Sequence, residues 1–184
     1  KTSQKIGMNV EAWQELRHAA EMSGIEGDSM GTMLAKLNKR LAEAASGSEE
    51  ATKWFKRAGI AVTDSKGRAR SAESVFMDLA DVFEKHRNGT KKTALAMGLF
   101  EEEGTKLIPL LNSGKKGIEK MRQEARDLGI VMDEKTAKAS EAFNDNVSRM
   151  IKVVKGLAFN LGSQLIPIFN DLVVSIKAWI EQNR

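Results

Sequence analysis

The sequence predicts an all-α chain: a multi-helix lobe followed by a long, kinked helical tract with heptad character. Three observations carry this. Apolar residues recur at steps of three and four along most of the chain, the spacing of one helix face. Capping residues and glycines punctuate those runs. The composition also lacks what sheets use, since there is no Tyr and aromatics are 5%, whereas strands favour β-branched and aromatic side chains.

Taken in order, Asn9 caps a first helix bearing Val10, Trp13, Leu16 and Ala20, which ends near Ser23-Gly24. Asp28 or Ser29 opens a second, with Met30, Met33, Leu34, Leu37, Leu41 and Ala44 on one face and Ser46-Gly47 as its close. Ser48 followed by Glu49 and Glu50 is a strong start signal, because an oxygen acceptor and two carboxylates suit the free N–H groups and positive dipole end of a helix. This third helix presents Trp54, Phe55 and Ala58 and stops at Gly59. Residues 60–70 read as a loop turning at Asp64-Ser65-Lys66-Gly67. Ser71 caps a helix with Val75, Phe76, Leu79, Val82 and Phe83 that ends at Asn88-Gly89, and Thr90 starts another through Ala94, Leu95 and Met97. A short piece from Gly104 to Asn112 contains Pro109, and Gly114 leads into Ile118, Met121, Ala125 and Leu128, stopped by Gly129. Residues 1–131 form the predicted lobe.

Residues 132–184 form the predicted tract, capped by Asp133. Phe143, Val147, Met150, Val154, Leu157 and Leu161 alternate steps of four and three, a heptad seam of the kind that lets helices wind together. The seam meets Gln164 and resumes, one position out of phase, as Ile168, Leu172, Ile176 and Trp179. Pro167 between the two stretches predicts a break or kink, since proline removes a helical hydrogen bond and crowds the preceding turn. Such a stripe is most often intramolecular core, and self-association or docking along another helix is the alternative. The length of the tract, which reaches beyond one compact bundle, raises the second use. There is no tandem repeat and no low-complexity segment.

The net charge of +4 comes from 29 Lys+Arg against 25 Asp+Glu, with the signs interspersed, which predicts no dedicated nucleic-acid site. With no Cys, disulfides and thiolate metal sites are excluded. The chain opens on Lys1 with no leader pattern behind it, which predicts a piece of a longer polypeptide. Gly156 to Asn170 is the longest uncharged stretch and falls short of the about 20 apolar residues of a membrane span.

No residue is predicted to be catalytic, cofactor-binding or metal-ligating. Gly27-Asp28-Ser29-Met30-Gly31 matches the G-x-S-x-G elbow of hydrolases, but that device needs a strand before the serine, and the preceding segment reads as helix. His18 and His86 are distant in sequence and have no ligand spacing. His86 suits the cation-favouring end of its helix. Glu101-Glu102-Glu103 fan around a helix start and do not converge. Lys91-Lys92 and Lys115-Lys116 read as solvated faces, and the sequons Asn88-Gly89-Thr90 and Asn146-Val147-Ser148 as chance.

The middle of the chain resembles bacteriophage tail tape-measure proteins. The likeness begins with Ala69-Arg70-Ser71 and the stretch Val75 to Phe83, and continues through Asn88 to Ala96. Leu99-Phe100, Gly104, Pro109, Leu111, Asn112 and Gly114 follow in order, then Leu128-Gly129, Asn144-Asp145 and Leu165-Ile166-Pro167. It covers roughly Ala51 to Ile180 and rests on the ordered series, not on one motif. After Leu99-Phe100 that family usually shows a glycine and a basic residue, where this chain has Glu101 and Glu102.

The resemblance implies a long helical structural protein, not an enzyme, that sets tail-tube length, scaffolds assembly and leaves during genome delivery. It implies residence in the virion's tail lumen, and in the host cytoplasm during assembly. The implied partners are copies of itself, tube subunits, assembly chaperones and the tail tip, with transient membrane contact and no cofactor. Two other classes fit the residues: a membrane-active helical module acting at the host envelope, and a soluble helical adaptor.

Overall fold

Local capping chemistry sets most of the helix boundaries. In the computed structural model, which describes residues 2–182, the elements are α1 (Thr2–Ile6), α2 (Val10–Met22), α3 (Gly27–Ala45) and α4 (Glu49–Ala58). They are followed by α5 (Ala72–Lys85), α6 (Thr90–Phe100), a 3-10 turn (Glu102–Leu107), α7 (Ile108–Asn112), α8 (Gly114–Asp127) and α9 (Glu134–Gln182). The side chains of residues 157, 158, 160, 161, 163–170, 180 and 181 are not described. Asn9 accepts from the Ala12 N–H at 2.6 Å, Ser48 from Ala51 at 3.4 Å and Ser71 from Ser74 at 3.2 Å, as the sequence predicts. Gly59 ends α4 at φ 70, a left-handed conformation open to glycine without a Cβ penalty.

Three boundaries differ from expectation. α3 starts at Gly27 behind Glu26, with no side-chain cap, so Asp28 and Ser29 lie inside its first turn. α5 stops at Lys85 with His86 already extended, earlier than Asn88-Gly89. The glutamate triplet does not open an α-helix: Glu101 is the junction between α6 and the 3-10 turn, at φ 64 and ψ −162.

The chain forms two units, residues 1–134 and 135–184. In the first, α3 touches α1, α2, α4, α5 and α6, while α5 also meets α7 and α8. Met30, Met33, Leu34 and Leu37 of α3 are fully buried together with Val75, Phe76, Leu79 and Phe83 of α5. Phe100 of α6 meets Phe76 edge-on, with centroids 6.2 Å apart and planes at 81°, a favoured aromatic arrangement. Burying such side chains contributes roughly 1.5–3 kcal/mol each.

An ion network ties α2 to α8 beside this core. Buried Glu15 accepts from Arg122 at 2.8 Å and from Arg126 at 2.8 Å, and Arg122 also reaches Glu73 of α5 at 3.0 Å. The strand-free exit of the unit is fixed to α2: Gln14 exchanges two hydrogen bonds with the Met132 backbone, at 2.7 and 3.1 Å.

The second unit is α9, a helix of 49 residues. At 1.5 Å per residue it spans about 70 Å. It runs on past residue 167, so the expected break at Pro167 is not an end of the helix. One missing N–H removes a single rung of the ladder, and flanking rungs hold the rest.

Candidate functional site

Two places carry unused chemistry: the apolar seam of α9, and a basic cleft formed by α4, α5 and α6. On the seam, Phe143, Met150 and Val154 are 67%, 61% and 57% exposed, and Val147 is half-buried. The side chains of Leu157 and Leu161 lie outside the described residues. Asn144 and Asp145 are exposed beside the seam. Large apolar groups left to water at helical spacing mark an interaction surface more often than an idle one.

The cleft has a volume of about 500 Å3. Its apolar lining is Trp54 of α4, Val82 and Phe83 of α5, and Ala94 and Leu95 of α6; its basic side chains are Arg57, His86, Arg87, Lys91 and Lys92. Among the described residues, no carboxylate lines it. The helices approach closely here because Gly98 of α6 lets the Trp54 ring rest on its backbone, where any Cβ would overlap the indole. Arg57 lies 4.8 Å over the same ring. The Nδ1 of His86 is 2.7 Å from the Val82 carbonyl, so that nitrogen donates to it.

Lys92 corrects the expectation of a solvated face. Lys91 is exposed, but Lys92 is 5% exposed. It lies on the stripe of Ala96 and Leu99, four and seven residues on, and both of those are buried. Its ammonium donates to Asn88 Oδ1 at 2.9 Å and Asn112 Oδ1 at 2.6 Å. Asn112 Nδ2 in turn donates to Asn88 at 3.1 Å. Neither neighbour is charged, and burial pushes the lysine pKa down from its ordinary value. The four-residue spacing of Asn88, Lys92 and Ala96 was the available signal; the partner Asn112, twenty residues on, was not legible as such.

The other singled-out residues take structural places. Leu99, Phe100 and Leu111 are buried in the core. At Gly104 a Cβ would overlap the Ala96 carbonyl, and Gly114 adopts φ 66 beside the Glu84 carboxylate. Pro109 is in the first turn of α7, where its missing N–H costs nothing. Pro167 lies outside the described side chains. Ser29 lies in the first turn of α3, with α2 and a short loop before it, so the strand of a nucleophile elbow is absent there. Glu101 pairs with Lys36 at 2.9 Å and Glu103 with Lys106 at 3.2 Å. Among the described residues, no group of acidic and histidine side chains is placed to hold a metal ion.

No curated protein and no solved structure matches the chain. A family model described as phage-related minor tail protein matches residues 2–101. That region holds α1 to α6 and every residue named in the basic cleft, and it begins earlier than the likeness read from the middle of the sequence. With more than half of its 184 residues matched, the chain belongs to the phage-related minor tail protein family.

Proposed function

We propose that this chain is a segment of a tail tape-measure protein, whose helical length sets the length of the tail tube. Family membership gives a structural role in a phage tail, associated with the virion and with other tail proteins. The observation that supports the finer reading is α9, 49 residues of uninterrupted helix. A helix advances a fixed 1.5 Å per residue, so its residue count is a length. On an ideal helix Phe143, Val147, Met150 and Val154 fall within about 80° of one another and of Leu172, Ile176 and Trp179. This common stripe supports lateral packing on another copy or on a tail protein, whether tube subunit, assembly chaperone or tail tip.

Electron microscopy of phage carrying an altered gene tests the ruler. Deleting four heptads from α9 is expected to shorten the tail by about 40 Å. Tails of unchanged length in infectious particles would reject it. A membrane-active role is the second reading, favoured only by the exposed apolar groups. Among the described residues no helix is long and apolar enough to cross a membrane. Leakage of anionic liposomes on adding the protein would favour that role.

A further inference from the structure

We propose that the basic cleft between α4, α5 and α6 binds an acidic peptide segment that inserts one large apolar side chain. The cleft is independent of the ruler reading, since it lies entirely in the first unit.

Its size is within the range of built ligand sites, roughly 300–1,000 Å3, and holds one aromatic or aliphatic side chain with its flanking backbone. The apolar floor of Val82, Phe83 and Leu95 gives that side chain a dry seat. The cations select for negative charge. Among the described residues Arg57, Arg87, Lys91 and Lys92 form no ion pair with a carboxylate of the chain, unlike Lys36 or Arg122. Lys92 adds a stronger argument than surface charge. The residue is 5% exposed, and its ammonium is held by two amide oxygens and lies 5.9 Å from the Phe83 ring, with no carboxylate among its hydrogen-bond partners. A largely buried charge without a counter-ion is costly. An incoming carboxylate offsets that cost.

A peptide fits better than a nucleic acid. Single strands bind along a basic track with successive aromatic platforms for their bases. Here one indole stands at the cleft, already packed on Gly98 and overlain by Arg57, and the cations surround a pocket instead of forming a track.

The test is fluorescence anisotropy on the full chain with fluorescein-labelled peptides EELFEE, EEAAEE and KKLFKK, and with a labelled oligothymidylate. EELFEE is expected to bind about tenfold or more tighter than EEAAEE, and KKLFKK not at all. Arg57→Glu and Lys91→Glu, both at exposed positions, are expected to abolish binding with an unchanged circular dichroism spectrum. Leu95→Ala is expected to erase the preference for EELFEE over EEAAEE. Equal binding of the two acidic peptides would reduce the site to charge attraction and overturn the proposal. So would binding that survives both charge reversals, no binding of EELFEE at millimolar concentration, or tighter binding of the oligothymidylate.

Discussion

Glu101 holds a backbone conformation, φ 64 and ψ −162, that L side chains rarely adopt and that glycine adopts freely. It is the position where the resembling family usually has glycine. The Lys36 ammonium beside it holds its carboxyl below the ordinary range, and the lysine is raised in return. Because this pair is largely solvated, its loss matters less than the relief of backbone strain. Glu101→Gly is therefore expected to raise Tm by a few degrees in calorimetry; a lower Tm would mean that the ion pair outweighs the strain. Gly104 presents the opposite case. Gly104→Ala drives a methyl into the Ala96 carbonyl, and overpacking against backbone is expected to cost about 1–3 kcal/mol in urea unfolding. Glu15→Ala strips the carboxylate from two arginines near the core. A loss of about 3 kcal/mol is expected, as for breaking one side of a buried pair, and a change under 1 kcal/mol would show that Glu73 and Glu119 suffice.

Elements fold from local signals, and these were readable. The 60–70 loop turns where expected because Asp64 accepts from the backbone N–H of Lys66 at 2.8 Å and of Arg68 at 2.9 Å, and from the Arg68 side chain. The Arg68 backbone N–H, then its side chain, hold the Asp64 pKa below 3.8. A lowered carboxyl pKa stabilises the fold above the unfolded value and loses that effect as pH falls through the folded value. Stability is thus expected to drop on acidification below pH 3.8, more steeply in the wild type than in Asp64→Asn, when urea midpoints are followed against pH. On α9, Met150→Asp with Val154→Asp is expected to lower the sedimentation coefficient by disrupting self-association, with helicity kept. An unchanged coefficient would leave the stripe without that role. The start of α3 departs from the expected Asp28 or Ser29 cap: Glu26 holds the capping position and makes no side-chain bond there, so no local signal marks it. The helix ends marked by Asn9, Ser48, Ser71 and Gly59 were legible because each bond joins residues a few positions apart.

At the scale of the whole molecule, the two units use apolar residues differently. Residues 1–134 bury them between helices, whereas the described seam of α9 leaves Phe143, Met150 and Val154 to solvent. On the proposed tape-measure reading, neighbouring tail proteins or a second copy would cover that stripe. The sequence by itself determined the all-helical class, the order of helices from Val10 onward and the long terminal tract, since periodicity and caps act within one or two turns. The five-residue α1 (Thr2–Ile6), too short to show a stripe, was not foreseen. It also carried the family resemblance, an ordered series that needs no contacts. Only the tertiary structure decided that Lys92 is buried, that Glu15 meets Arg122 across 107 residues, and that α4, α5 and α6 enclose a basic cleft. Those outcomes depend on which faces meet after collapse. A one-dimensional pattern shows that a side chain is polar and on which stripe it lies, but burial and counter-charge are properties of neighbours brought together by packing.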